Sequence, residues 1–155
     1  MTAELLVEPA AWQTILDAAG EDAMRETGGV LLGWRHEKGI YVHDALVVSD
    51  SHAKHTFYRR RHKPATDVLD AALAVLPGAS PIGYVGEWHS HPAPTGPSWV
   101  DRFEMRRISR QTKAAVGLLV CAYDAKTGVF TPVGVVAERG RTSRAKAVFR
   151  DGDEY

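Results

Sequence analysis

The chain has 155 residues, 45% hydrophobic and 25% charged, proportions that suit a folded domain and exclude a disordered or membrane-embedded chain. Its 19 basic and 19 acidic residues cancel, so no global field draws it to nucleic acid or to an anionic membrane. A chain of this length buries a core without disulfides, and its single Cys121, in the apolar run Val116 to Cys121, reads as a buried, inert thiol in a reducing cytoplasm. No stretch approaches the roughly 20 apolar residues of a membrane helix, and MTAELLVEPA lacks the basic start and long apolar core of a signal peptide.

In chain order, Pro9 opens a first helix where its missing N–H costs nothing, and Trp12, Ile15, Leu16 and Ala19 continue it at helical spacing. The helix is expected from about Pro9 to Arg25, broken by Gly28-Gly29. An apolar strand then starts at Val30 and returns as Ile40 to Val48 after a turn near Glu37-Lys38-Gly39. Ser49 to Lys63 is polar and rich in His and Arg, and reads as a loop with a short strand. A second helix is expected from about Pro64 to Leu76, stopped by Pro77-Gly78, and a strand from Ile82 to His91. Three prolines in the six residues after His91 force irregular structure. Ser98 to Gln111 reads as a third helix, Ala114 to Tyr123 and Val129 to Ala137 as two more strands, and everything from Arg139 as a charged, loosely held tail. The expected fold is one α+β domain over residues 1–138, possible also as three αβα layers, on a mixed central sheet flanked by helices, followed by the tail at 139–155.

Strand alternation sends His89 and His91 to the same face, close enough to grip one ion, with Glu87 on that face as either a partner orienting an imidazole or a solvated side chain. A catalytic zinc needs a third protein ligand and an open position, and the loop after His91 can turn Asp101, in the first turn of the next helix, back toward the strand end. A competing reading of Ser98-x-x-Asp101 is a helix capping box, and of the two histidines an exposed polar strand end.

The order of these parts, Glu26-Thr27-Gly28-Gly29-Val30-Leu31-Leu32-Gly33, then Glu87-Trp88-His89-Ser90-His91-Pro92, then Ser98 and Asp101, strongly resembles the JAMM (MPN+, JAB) metalloproteases. The resemblance spans roughly Glu4 to Ala137, and the loop from His91 to Ser98 is one residue shorter than is common in that family. It implies a cytidine-deaminase-like MPN/JAB1 fold of three αβα layers. It also implies one Zn2+ on His89, His91 and Asp101, whose water is activated by Glu26, with Ser98 donating to the oxyanion. The reaction implied is hydrolysis of the amide bond after the C-terminal glycine of a ubiquitin-like protein, either deconjugation or precursor maturation. Similarity is greatest to small prokaryotic members that accompany ubiquitin-activating and ubiquitin-conjugating-like enzymes, some in antiphage operons. A sulfur-carrier adduct hydrolase would use the same tail and site. A non-catalytic MPN interaction scaffold is the alternative from outside enzymology, and usually lacks the ligands.

Nucleic-acid binding through Arg59-Arg60-Arg61-His62-Lys63 is disfavoured by the neutral overall charge. A zinc deaminase is rejected, since the His-x-Glu and Pro-Cys-x-x-Cys signatures are both missing. His52-x-x-His55, with no carboxylate pattern beside it, reads as two exposed histidines, and the loop around it is a candidate grip for a partner's globular body.

Overall fold

The computed structural model describes residues 3–48 and 63–149. Its elements are β1 (Ala3–Val7), α1 (Pro9–Glu21), β2 (Gly28–His36), β3 (Gly39–Val47), α2 (Lys63–Ala74), β4 (Gly83–His91), α3 (Trp99–Thr112), β5 (Val116–Asp124), β6 (Val129–Glu138) and β7 (Arg141–Phe149). The polar segment read as a loop with a short strand, including His52, His55 and all of the basic run but Lys63, lies outside the described residues.

The sheet is mixed, with strand order β1-β3-β2-β4-β5-β6-β7, and β7 pairs back onto β1 so that the ring closes. Hairpins make β2–β3, β5–β6 and β6–β7 antiparallel. β4 and β5 run parallel, and the crossover that parallel pairing demands is α3.

Two faces of the sheet are packed, each by its own helix. Ala11, Ile15 and Ala19, four residues apart, put one stripe of α1 against Leu5, Val7, Leu31, Ile40, Val42, Val85, Trp88, Leu119 and Cys121. On the opposite face Met105 and Ile108 of α3 cover Val116, Leu118, Val120, Ala122 and Ala137. Alternation along β5 divides the two cores: its even-numbered residues meet α3 and its odd-numbered Leu119 and Cys121 meet α1.

Three expectations are corrected. Helix α1 stops at Glu21 rather than Arg25, because Asp22 leaves the helical conformation and its Oδ1 accepts the Met24 N–H at 3.1 Å in a tight turn. The residues from Arg139 are no loose tail: Arg141–Phe149 forms β7, whose Ala145 is buried and whose Phe149 ring lies 5.4 Å from that of Trp12. Finally, β1, for which no element was expected, pairs in parallel with both β3 and β7 and closes the mixed sheet into a ring.

Candidate functional site

The end of β4 faces two ways. In parallel register His89 lies beside Val120 and Glu87 beside Leu118, both residues of the α3 face. Trp88 and Ser90 pair with Leu119 and Cys121 and point to the α1 side. The histidines therefore look toward α3, and what α3 offers there is Asp101.

Helix α3 begins with a complete capping box. The Asp101 N–H donates to Ser98 Oγ at 3.2 Å, and the Ser98 N–H donates to Asp101 Oδ2 at 2.7 Å. The cap holds the carboxylate in place, only 7% exposed, with Oδ2 at 3.5 Å from His89 Nε2. Burial pushes the Asp101 carboxyl upward, but His89, and after it the Ser98 backbone N–H and side chain, outweigh it and hold the group below its usual value of 3.8. Ligand and cap, rival readings of Asp101 in the sequence, are thus compatible: the same oxygen that takes the Ser98 N–H faces the imidazole. The Ser98 side chain itself is exposed at the surface.

A second acid and imidazole stand beside the first. His91 Nε2 is 3.9 Å from Glu26 Oε1, and the His89 and His91 rings meet edge to face with centroids 5.3 Å apart. Glu26 sits in the connection between α1 and β2, five residues beyond the helix end. Glu87 is buried rather than solvated, and accepts from the Tyr84 hydroxyl at 3.1 Å.

Both rings use Nδ1 on the backbone. His89 Nδ1 lies 3.2 Å from the Ser90 carbonyl, and His91 Nδ1 3.3 Å from the Thr95 carbonyl, with Thr95 Oγ1 also at 3.2 Å. An Nδ1–H that donates to a carbonyl leaves the Nε2 lone pair outward, the tautomer a metal ligand needs.

The sequence matches the family described as prokaryotic homologs of the JAB domain over residues 8–144. The chain belongs to the JAB-domain family. The match takes in Glu26, both histidines, Ser98 and Asp101, and runs into β7. Among solved structures, the JAB domain superposes on protein DSY2949 from Desulfitobacterium hafniense with a TM-score of 0.65 and 17% identity, covering 97% of this chain and 95% of that one. At that identity the likeness speaks for the fold. No curated protein matches the sequence.

The donor set of this JAB domain suits zinc: two imidazoles with Nδ1 committed elsewhere and a carboxylate kept ionised. Two ligands on one tetrahedral zinc stand about 3.3 Å apart, and His89 Nε2 and Asp101 Oδ2 are at 3.5 Å. His91 leans toward Glu26 instead, and among the described residues no three His, Cys, Asp or Glu side chains already close on a common point. No helix among the described residues is long and apolar enough to cross a membrane.

Two contributors escaped the sequence reading. Thr95, inside the proline-rich loop, reaches back to the His91 ring, and only the fold of that loop could reveal it. Ser90 bonds the segment that carries Glu26, and the alternation that aims two histidines one way could have flagged it as the residue aimed the other.

Proposed function

We propose that this JAB domain is a zinc-dependent isopeptidase or peptidase that hydrolyses the amide bond after the C-terminal glycine of a ubiquitin-like protein. The observation that carries the reading is the side-by-side placement of His89 with Asp101 and His91 with Glu26, both rings anchored through Nδ1. His89, His91 and Asp101 would hold one Zn2+, which supplies Lewis acidity to acidify a water molecule and polarise the scissile carbonyl. Asp101 brings the negative charge and is held rigid by the cap. Glu26, beside His91, takes the proton from the attacking water and passes it to the leaving amine, a lysine side chain in an isopeptide. The Ser98 hydroxyl donates to the oxygen that gains charge as the carbonyl is attacked.

A protein partner finds an apolar surface beside the site, because Trp99, Val100 and Phe103 are exposed on the first turns of α3 around Asp101. The partner's Gly-Gly tail would run extended into the site, where only small residues would pass. A sulfur-carrier protein with the same tail is the related substrate, and neither nucleic acid nor membrane is part of the reading. The setting is cytoplasmic, in keeping with the one buried thiol. The fold is read as the three-layer, cytidine-deaminase-like MPN arrangement, with α1 and α3 as the outer layers and the sheet closed by β1 and β7.

A second reading, a non-catalytic interaction module, is favoured by one observation: the three intended ligands do not converge on a point. Zinc content by elemental analysis, beside cleavage of ubiquitin-like and sulfur-carrier fusions across a Gly-Gly junction, separates the two. The proposal expects about one zinc per chain and turnover, loss of turnover with metal retained in Glu26→Ala, and loss of metal in His89→Ala. A folded, metal-replete preparation without zinc would overturn it in favour of the interaction module.

A further inference from the structure

Ser90 stands between the two histidines and points away from them. Strand alternation turns it to the α1 side of the sheet, where it is 2% exposed. There it meets the connection from α1 to β2. The Thr27 N–H donates to Ser90 Oγ at 2.9 Å, and the Ser90 N–H donates to the Thr27 carbonyl at 2.8 Å. The Ser90 hydroxyl in turn faces the carbonyls of Arg25 and Thr27, at 3.5 and 3.4 Å. Both neighbours of Glu26 are therefore engaged by one side chain.

The segment is fixed on its other flank as well. A Cβ at Gly29 would overlap the Leu46 carbonyl and crowd Trp88 Nε1, so β2 is drawn tightly against β3 from its second residue. Trp88 Nε1 donates to that same Leu46 carbonyl at 3.0 Å. With Thr27 tied to Ser90 and Gly29 wedged between strands, the one charged side chain of the segment from Glu26 to Gly29 projects toward His91.

We propose that Ser90 is the positioning residue for Glu26: it ties the Arg25–Thr27 backbone to β4 so that the carboxylate is held beside His91. The tripeptide His89-Ser90-His91 then serves both faces of its strand, with two rings toward Asp101 and Glu26 and one hydroxyl toward the backbone that carries the acid. The role in catalysis rests on the reading of Glu26 as the proton carrier; the tie itself does not.

The test uses the full chain as wild type, Ser90→Ala, Ser90→Thr and Glu26→Gln. In metal-free protein, amide exchange at Thr27 should quicken about tenfold in Ser90→Ala, the loss of one hydrogen bond, while the β2 amides of Val30 and Leu31 hold. The His91 ring proton resonance should move in Ser90→Ala as it does in Glu26→Gln, and return in Ser90→Thr. On a ubiquitin-like fusion with a Gly-Gly junction, kcat should fall about a hundredfold in Ser90→Ala at unchanged KM and zinc content, the scale of an ångström-level misplacement. Ser90→Thr should recover most of it. Unchanged Thr27 exchange with an unmoved His91 line overturns the tie. A kcat loss tracking zinc loss or a lowered melting temperature overturns the positioning role, leaving Ser90 a structural residue. If wild type cleaves nothing, the proposed function fails, while exchange and the His91 line still decide whether Ser90 holds Glu26.

Discussion

Replacing Ser98 separates its two duties, because the residue closes the capping box of α3 and is also assigned a donor role in the reaction. Its Oγ accepts the Asp101 N–H at 3.2 Å. Losing such a cap to alanine costs about 1 kcal/mol, whereas glycine at an N-cap costs only a few tenths. For a chain of this size 1 kcal/mol corresponds to about 2–4 °C in Tm. Ser98→Ala should therefore melt about 3 °C below wild type, and Ser98→Gly about 1 °C below. Both lack a hydroxyl, so both should lose on the order of 100-fold or more in kcat if that hydroxyl serves the oxyanion. Ser98→Thr, which keeps hydroxyl and cap, should stay near wild type in both. Differential scanning calorimetry and steady-state cleavage, run on the same preparations at fixed zinc, give the two numbers. A Ser98→Gly protein that melts normally and also cleaves normally would refute the donor role and leave the serine as a cap alone.

In metal-free protein the lowered carboxyl of Asp101 stabilises the fold above its unfolded value of 3.8, and that contribution is lost as the pH falls through the lower folded value. Asp101→Asn should flatten the acid limb of a Tm-against-pH curve and weaken zinc retention in dialysis against a chelator. Burial pushes the Cys121 thiol up to about 12 from 9.0, so the folded state keeps a proton that the unfolded chain sheds, and stability should fall as the pH rises from 9 to 12. At pH 8 alkylation of Cys121 should run more than about a thousandfold slower than in denaturant, following the unfolded population. A truncation after Glu138 removes β7 and leaves β1 and β6 each short of a partner, so it should abolish the cooperative thermal transition. A normal melt would show that the ring is dispensable.

Elements with a strong apolar period were legible. α3 and the two hairpins lie within a residue or two of where alternation and helical spacing put them. β7 was not, because Arg141, Arg144 and Lys146 all face solvent and Ala145 is its only fully buried residue, so the strand reads as a charged tail. β1 is five residues long, too short to display a period, and the partners that make it a strand lie far away in the sequence. Within the candidate site, strand alternation brought His89 and His91 to one face, and the Ser-x-x-Asp spacing correctly announced a capping box. Asp22 ended α1 early through a local side-chain turn that the longer helical period had masked, which leaves Glu26 five residues beyond the helix end rather than directly after it. The role of Ser90 depends on which backbone crosses its inward face, and composition carries no record of that.

The parallel pairing of β1 with β7 has a consequence during synthesis. Ala3 is synthesised long before Ala145 and must await it before its ladder is complete. Contacts so distant in sequence raise contact order, and the entropy of closing such a loop is spent before the contact returns anything, which slows folding. Until then β1 has β3 on one side and an open edge on the other, a template for pairing between nascent chains. Overexpression at low temperature, where chains emerge slowly and stay apart, should accordingly raise the soluble yield more than it does for a domain whose sheet is completed by neighbours in sequence.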